Sequence, residues 1–162
     1  GQSSMLGLFL EEIDEGLTVD LGSYHFTRES TLRFAGKYDP QPFHLSDEGG
    51  LAGPFGGLSA SGWHTAAGWM KCFVAVSDAA RAKLQAAGKT LPEIGPGPGF
   101  TNLKWLKPVF PDDTLRYSCK VTGKRDLNSR PQWGIVFSLN EGFNQKNELV
   151  FSFEGKVLTA RR

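Results

Sequence analysis

The stretch that decides the fold covers residues 38–70. It begins with YDPQPFH at residues 38–44, passes through a bend rich in glycine and proline, and enters an apolar-striped segment at Gly62. Each proline in YDPQPFH fixes φ, removes an amide donor and favours extended geometry in the residue before it. We therefore predict a stiff, helix-free loop that holds Asp39 and His44 at a fixed separation. A carboxylate and an imidazole held in this way can share one water molecule.

A long helix is predicted to follow the bend. From Gly62 onward apolar residues recur at helical spacing, and Gly88 is a suitable stop. The recurring positions are Trp63, Ala66, Ala67, Met70, Phe73, Val74 and Ala80, with Leu84 near the end. Gly62 and Gly68 each cost about 1 kcal/mol of helix propensity relative to alanine. Close backbone packing or ligand approach should offset that cost.

The chain after the helix is predicted to form strands. A linker rich in proline and glycine at residues 89–99 precedes an extended segment at residues 100–109. Three later runs alternate apolar with polar residues, and we expect each apolar face to cover the core. The apolar positions are Leu115, Tyr117, Cys119 and Val121; Trp133, Ile135, Phe137 and Leu139; and Leu149, Phe151, Phe153 and Val157. Polar turns between the runs indicate an antiparallel meander.

The chain before the loop is less regular. Residues 6–16 show no clean period and are expected to lie on the surface. Residues 17–26 are rich in strand formers and cross Gly22, which indicates a strand with a bend or bulge. Thr27 can cap a short helix that ends near Ala35. The resulting order favours an α+β domain in which an antiparallel sheet of about five strands wraps around the long helix.

Three motifs in this order resemble one known family. Asp39-x-x-Pro42-x-His44 is similar to the Asp-x-Asn-Pro-x-His signature of the MaoC-like dehydratases, which include the R-specific enoyl-CoA hydratases of the hot-dog fold. The segments PFGG at 54–57 and ASGW at 60–63 resemble the entry to that family's central helix, and residues 106–115 resemble its later strand and turn. The resemblance implies a single hot-dog domain within residues 1–162. Separately, residues 1–4, GQSS before Met5, are typical of an expression remnant.

The resemblance also implies a reaction, the reversible hydration of a trans-2-enoyl thioester to the (R)-3-hydroxyacyl thioester. Asp39, as the base, and His44 would orient the water. Gly62, at the start of the helix, would donate its N–H to the thioester oxygen as enolate charge develops. The candidate substrate contacts are Gln41, Pro42, Phe43, Phe55, Ser61 and Trp63. Gln41 and Ser61 depart from the Asn and His that the family often has at these positions.

Other interpretations remain open at this point. Asp39 also suits a proline-containing turn, and a lone histidine is more often structural than catalytic. The same Asp39 could activate water against a thioester carbonyl, as in an acyl-CoA thioesterase, and Gln41 and Ser61 could mark a non-catalytic protein that binds acyl thioesters. The hydration reaction needs no metal and no redox cofactor, and coenzyme A would enter only as part of the substrate.

Four aromatic residues lie in or beside the site stretch: Phe43, Phe55, Trp63 and Trp69. If two of these rings turn inward, they would close an acyl channel after a few carbons, which predicts a short or branched acyl group. If the rings pack into the core instead, the channel stays open.

The composition and charge of the chain limit the classes of molecule that it is expected to bind. The chain carries 18 basic and 17 acidic residues spread along its length, which argues against a nucleic-acid or membrane surface. No apolar run is long enough to cross a membrane. Cys72 and Cys119 match no metal spacing and are expected to be reduced core thiols, which favours a cytoplasmic protein. The open edges of the sheet need cover, and the resemblance implies a homodimer or a dimer of dimers.

Overall fold

The computed structural model describes residues 6–93 and 95–162, so the predicted remnant at residues 1–4 lies outside the described part. The strands are β1 (Thr18–His25), β2 (Gly99–Trp105), β3 (Thr114–Asp126), β4 (Trp133–Phe143) and β5 (Leu149–Ala160). The helices are α1 (Arg28–Tyr38), α2 (Pro42–Leu45), α3 (Asp47–Ala52) and α4 (Gly62–Ala86), and a 3₁₀ turn spans Leu10–Glu12.

The five strands form one antiparallel sheet in the order β1-β3-β4-β5-β2, and α4 packs against its inner face. Tyr117 of β3 donates a hydrogen bond from its buried hydroxyl to the carbonyl of Thr65 in α4, at 2.8 Å. Gly68 makes this contact possible, since a Cβ there would lie 2.8 Å from the Tyr117 hydroxyl oxygen. A sheet wrapped around one long helix is the hot-dog architecture, so the predicted fold class is confirmed.

The N-terminal elements confirm part of the prediction. β1 carries the expected irregularity, between Asp20 and Gly22. Thr27 caps α1 by accepting a hydrogen bond from the Ser30 amide at 3.0 Å. The helix continues three residues beyond Ala35, to Tyr38. It stops there because the next residue, Asp39, precedes a proline and is held out of helical geometry.

Two short helices occupy the segment predicted to be a helix-free loop, so that prediction was wrong. In α2, Pro42 is the first helical residue. At that position a proline loses no hydrogen bond, because the first amides of a helix have no intrahelical acceptor, and its fixed φ suits the helix. Ser46 then caps α3 through a hydrogen bond from the Gly49 amide, at 2.9 Å. His44 therefore lies on a helical turn.

Residues 6–16 were predicted to lie on the surface. That prediction was wrong, because Leu10 and Ile13 are buried in the core. Their apolar side chains follow no helical or strand period, so the pattern did not reveal them.

Cys72 and Cys119 are both buried and free of disulfides, as expected. Among the described residues, no helix is long and apolar enough to cross a membrane.

The inner face of β4 is the opposite of the predicted one. Gly134, Val136, Ser138, Asn140 and Gly142 are buried, whereas the predicted core positions Trp133, Ile135, Phe137 and Leu139 are only partly buried. Directly paired residues of neighbouring strands share a face. The buried Cys119 of β3 pairs with Asn140, and the exposed Lys120 pairs with Leu139.

Side-chain bulk explains this choice of face. Gly142 lies beside the buried ring of Tyr117, and a Cβ at Gly142 would lie 3.1 Å from that ring. On the other side, Gly142 pairs with the buried Phe151 of β5. The large side chains of β3 and β5 crowd the inner face beside Gly142, so small residues of β4 face inward between them.

Candidate active site

Asp39 ends α1 with a carboxylate held on both oxygens. Gln41 donates from Nε2 to Oδ1 at 2.7 Å, and Ser61 donates from Oγ to Oδ2 at 2.7 Å. Burial of the group opposes ionisation, but these hydrogen bonds and the attraction of His44 outweigh burial and lower the pKa of the Asp39 carboxyl. Asp39 is therefore ionised and oriented near neutral pH.

His44 is buried on α2 with its ring fixed from one side. Its Nδ1 lies 2.6 Å from the carbonyl oxygen of Ser59. A carbonyl only accepts hydrogen bonds, so Nδ1 carries the proton and neutral His44 presents a lone pair at Nε2. The backbone holds this partner in place, because the Ser59 amide donates to the Phe43 carbonyl at 3.0 Å.

The His44 Nε2 and Asp39 Oδ2 atoms lie 3.5 Å apart. In neutral His44 both atoms are hydrogen-bond acceptors, so they cannot bond directly to one another. One water molecule can donate a hydrogen to each of them. The pair is thus suited to orient a water and to remove a proton from it.

Gly62 begins α4, and its amide is one of the first-turn N–H groups that lack an intrahelical acceptor. Ser61 caps the helix by accepting from the Trp63 amide at 3.2 Å, so the same hydroxyl links the helix start to Asp39. Trp105 donates from its indole N–H to the Gly62 carbonyl at 2.9 Å. A Cβ at Gly62 would lie 2.5 Å from the Trp105 ring, so the close contact requires glycine.

These groups surround one cavity of about 330 Å³, which we call the acid–base cavity. It is lined by seven of the predicted site residues: Asp39, Gln41, Phe43, His44, Phe55, Gly62 and Trp63. Pro42 and Ser61 are not lining residues: Pro42 starts α2, and the fully buried Ser61 contacts Asp39 instead. Their predicted contact with substrate remains a prediction.

Sequence reasoning missed one wall of this cavity. Residues 105–109, which include Trp105 and Lys107, line it from the end of β2 onward. The motif at residues 106–115 matched the family here, but no side chain in it was assigned a role. Trp105 and Gly62 are 43 residues apart, so no local pattern could have indicated their contact.

A second cavity, of about 360 Å³, lies between α4 and the sheet, and we call it the sheet cavity. Its walls include Trp63, Trp69, Met70 and Phe73 of α4 and Phe151 and Phe153 of β5. Ser138 and Asn140 of β4 supply polar groups. Trp63 lines both cavities, so its ring marks the boundary between them.

His64 lies away from the acid–base pair. It lines a third cavity, with Tyr24, Arg33 and Phe34, on another side of α4. Its Nε2 is 3.0 Å from the Tyr24 hydroxyl, and its ring stacks on Phe34 with centroids 4.6 Å apart. Burial, with a smaller contribution from Arg33, lowers the pKa of His64 to about 4. His64 is therefore a neutral structural histidine near pH 7.

The sequence and the fold of this chain are both similar to those of known proteins. The model described as MaoC like domain matches residues 13–135. The uncharacterized protein YdeM of Bacillus subtilis is 31% identical over 152 residues, which cover 94% of this chain and 99% of YdeM.

Two further relatives carry functional names. The crystal structure of the MaoC-like dehydratase from Rhodospirillum rubrum superposes with a TM-score of 0.80 at 35% identity, covering 96% of this chain and 98% of the other. The mesaconyl-CoA hydratase of Cereibacter sphaeroides is 39% identical over 79 residues, which cover 46% of this chain and 23% of that protein.

Proposed function

This chain belongs to the MaoC-like dehydratase family, and we propose that it is a hydro-lyase that reversibly adds water to a trans-2-enoyl thioester. The product would be the (R)-3-hydroxyacyl thioester. The observation that carries the proposal is the pair of acceptor atoms, Asp39 Oδ2 and His44 Nε2, 3.5 Å apart in the acid–base cavity.

Hydration makes three demands on the protein. A base must take a proton from water as the water oxygen bonds to Cβ, and an acid must deliver a proton to Cα. A donor must also stabilise the thioester oxygen as the C=C electrons move toward the carbonyl.

Asp39 serves as the base, because its carboxylate is ionised and aimed by Gln41 and Ser61. His44 positions the water, and the proton that Asp39 takes passes through His44 Nε2 to Cα, so that both side chains return to their starting protonation states. The Gly62 amide, at the positive end of the α4 dipole, stabilises the enolate oxygen. The reaction uses no metal and no redox cofactor, and coenzyme A takes part only as a portion of the substrate.

We also propose that the working form is a homodimer or an assembly of dimers. β2 is an edge strand of the sheet, and Phe100 and Trp105 on it are large, exposed apolar residues. Pairing with a second copy would cover this edge. Light scattering at micromolar concentration should give at least twice the 17.7 kDa chain mass. A monomer alone would contradict the edge-pairing proposal.

The test of the reaction compares the parent protein with the Asp39→Asn and His44→Ala variants on crotonyl-CoA. Each variant should lose about 10²- to 10⁴-fold in activity, the usual range for an acid–base group. Matched controls are Asp78→Asn and His25→Ala, which change an exposed carboxylate and an exposed imidazole away from the cavity. Both controls should keep parental rates, and circular dichroism should show all four variants folded.

The readout separates the other functions. Loss of enoyl absorbance without release of free thiol supports hydration, whereas thiol release identifies a thioesterase. Ligand binding with neither reaction identifies a non-catalytic binding protein. Near-parental hydration by both site variants would refute the assignment of Asp39 and His44.

A further inference from the structure

The sheet cavity exists because of the residues that β4 turns inward. Three of its buried side chains facing α4 are Val136, Ser138 and Asn140, which alternate with the larger Ile135, Phe137 and Leu139 on the outer face. Gly155 of β5 pairs with Ser138 and adds no side chain of its own. The strand therefore places its smaller, polar face below α4 and leaves space there.

Two buried polar atoms at this cavity have no hydrogen-bond partner among the described residues. Asn140, 1% exposed, uses its Nδ2 to donate to Ser138 Oγ at 3.0 Å, but its Oδ1 is unpaired. Trp69, 8% exposed, has an unpaired indole N–H. Both residues line the cavity. Buried polar atoms are nearly always paired, so two exceptions at one cavity require an explanation.

The hydroxyl group of a ligand can satisfy both atoms. It can donate to the Asn140 carbonyl oxygen and accept from the Trp69 N–H. In this orientation of the Asn140 amide the free Oδ1 requires a donor and the Trp69 N–H requires an acceptor, and a carbonyl group of a ligand could not supply both. A hydrocarbon chain would leave both atoms unpaired.

Charge argues against a carboxylate in this place. Lys156 is the only described ionisable residue that lines the cavity, and its side chain is exposed, between the buried Gly155 and Val157 on β5. Successive side chains of a strand point to opposite faces, so Lys156 points away from the sheet's inner face. A carboxylate inside the cavity would be buried without a cation, which is costly.

The sheet cavity lies next to the acid–base cavity, where the proposed reaction takes place. Trp63 lines both the sheet cavity and the acid–base cavity, and it follows Gly62 directly. A thioester oxygen at the Gly62 amide would place the acyl chain beside Trp63. The sheet cavity is the apolar space that such a chain would enter next.

We propose that the sheet cavity selects an acyl thioester whose chain carries a hydroxyl group farther from the thioester than C3, recognised by Asn140 and Trp69. This inference rests on the proposed thioester chemistry and adds the class of acyl group. A site built to hydrogen-bond a hydroxyl discriminates strongly against an analogue that lacks it, because its own polar groups then stay unpaired.

The test measures binding with saturated probes, so that it does not depend on turnover. Calorimetry would compare hexanoyl-CoA with 6-hydroxyhexanoyl-CoA and adipoyl-CoA, together with the corresponding eight-carbon probes. The hydroxylated probe of one length should bind about tenfold more tightly than its unsubstituted match, equivalent to one good hydrogen bond. The carboxylate probe should bind more weakly than the hydroxylated one.

Three variants assign the preference. Asn140→Leu removes the amide at similar volume, and Trp69→Phe removes the N–H while keeping an aromatic ring against Phe73 and Phe153. Each should reduce the preference to about threefold, since one of the two bonding groups is gone and the other still bonds. The control is Ser77→Ala, because the Ser77 hydroxyl is also buried and unpaired but does not line the cavity. It should keep the parental preference.

The outcomes separate this inference from the proposed reaction. Equal binding of matched hydroxylated and unsubstituted probes at both lengths, or an unchanged preference in a folded Trp69→Phe protein, overturns the inference while hydration can still stand. Hydroxyl preference in a protein that hydrates no enoyl thioester overturns the proposed reaction and leaves the binding inference intact. If Asn140→Leu fails to fold, Trp69→Phe alone decides.

Discussion

The two cavities that meet at Trp63 treat their polar atoms in opposite ways. In the acid–base cavity each oxygen of Asp39 accepts a hydrogen bond, and His44 Nδ1 is paired with a backbone carbonyl. In the sheet cavity Asn140 Oδ1 and the Trp69 N–H are unpaired within the described chain. Hydrogen bonds to both oxygens of Asp39 and to one ring nitrogen of His44 keep this charged site rigid before substrate arrives, with His44 Nε2 left free for water. Unpaired neutral groups in an apolar cavity instead offer bonds to a ligand.

Different structural elements form the two cavities. The acid–base pair rests on contacts between α1, α2 and the start of α4, so a small displacement of the α4 start changes its geometry. The sheet cavity rests on the choice of small side chains in β4, so its selectivity can change while the reaction geometry stays intact. Substitutions in the acid–base cavity should therefore lower the reaction rate, whereas substitutions in the sheet cavity should change the selectivity for the acyl group.

Among variants that leave Asp39 and His44 in place, the largest effect is expected from Gly62→Ala. The new Cβ would lie 2.5 Å from the Trp105 ring, so the indole or the α4 start must move. A displacement of about 1 Å near reacting groups costs about 10²-fold in rate, and the overpacking should destabilise the fold by about 1–3 kcal/mol. Initial rates and urea unfolding measure the two effects.

Gly36→Ala is the matched control for that change. Gly36 lies within α1, and a Cβ there would have no atom within 4 Å. Because alanine is the better helix former, this variant should gain about 0.5–1 kcal/mol of stability and keep its rate. An equal loss of rate in both glycine variants would disprove a specific role for the Gly62–Trp105 contact.

A smaller effect, with a distinctive pH signature, is expected from Ser61→Ala. Loss of the helix cap should cost about 1 kcal/mol of stability. The variant also removes a donor to the Asp39 carboxylate, so the pKa of Asp39 should rise and the acid limb of the kcat/KM profile should move to higher pH.

Ser46→Ala provides the comparison, because Ser46 caps α3 without contacting Asp39. It should lose stability without a shift of the acid limb. The lowered pKa of Asp39 also predicts how the stability of the parent protein depends on pH. A carboxyl whose pKa is lowered by folding stabilises the native state above its unfolded pKa, and this contribution is lost as pH falls through the folded pKa. An acid limb that is the same in both serine variants would argue against Asp39 as the base.

The boundary between the cavities can be tested with acyl chain length. Phe43, Phe55 and Trp63 line the acid–base cavity, whereas Trp69 lines the sheet cavity and stacks on Phe73 at 5.0 Å. If Trp63 restricts the passage, the parent should prefer short enoyl-CoA substrates, and Trp63→Ala should improve longer ones by about tenfold. Specificity constants that already rise from four to twelve carbons in the parent would show that the aromatic rings do not close the channel.

The smallest effect on the reaction rate is expected from a substitution of His64, which lies outside both cavities. Its folded pKa of about 4 lies below the usual value of 6.5, so the unfolded chain binds the proton more readily between these pH values. Stability should therefore fall as pH is lowered from 6.5 toward 4. His64→Gln should weaken this dependence without changing the rate at pH 7, as measured by thermal unfolding at several pH values. A stability profile identical to the parent's would show that His64 is not the responsible group.

Much of the architecture could be predicted from local patterns. The 3.6-residue period gave α4 to within two residues of its stop signal at Gly88, and Thr27 capped α1 as expected. The order of motifs brought Asp39, His44 and Gly62 into one cavity. These features depend on neighbours in sequence or on the family resemblance, and both can be read without a structure.

The face of β4 and the contacts of Ser61 and Trp105 were decided only by tertiary structure. An alternating strand has two faces, and the bulk of Tyr117 and Phe151 on neighbouring strands selected the smaller one for the core. Ser61 reaches Asp39 across 22 residues, and Trp105 reaches Gly62 across 43. The sequence alone determined the periods and the cap at Thr27, because those depend on local geometry, and the family resemblance indicated Asp39 and His44 as the candidate acid–base residues. Register, bulk and long-range hydrogen bonds arise from segments that meet only when the chain folds, so they determined the shape of both cavities.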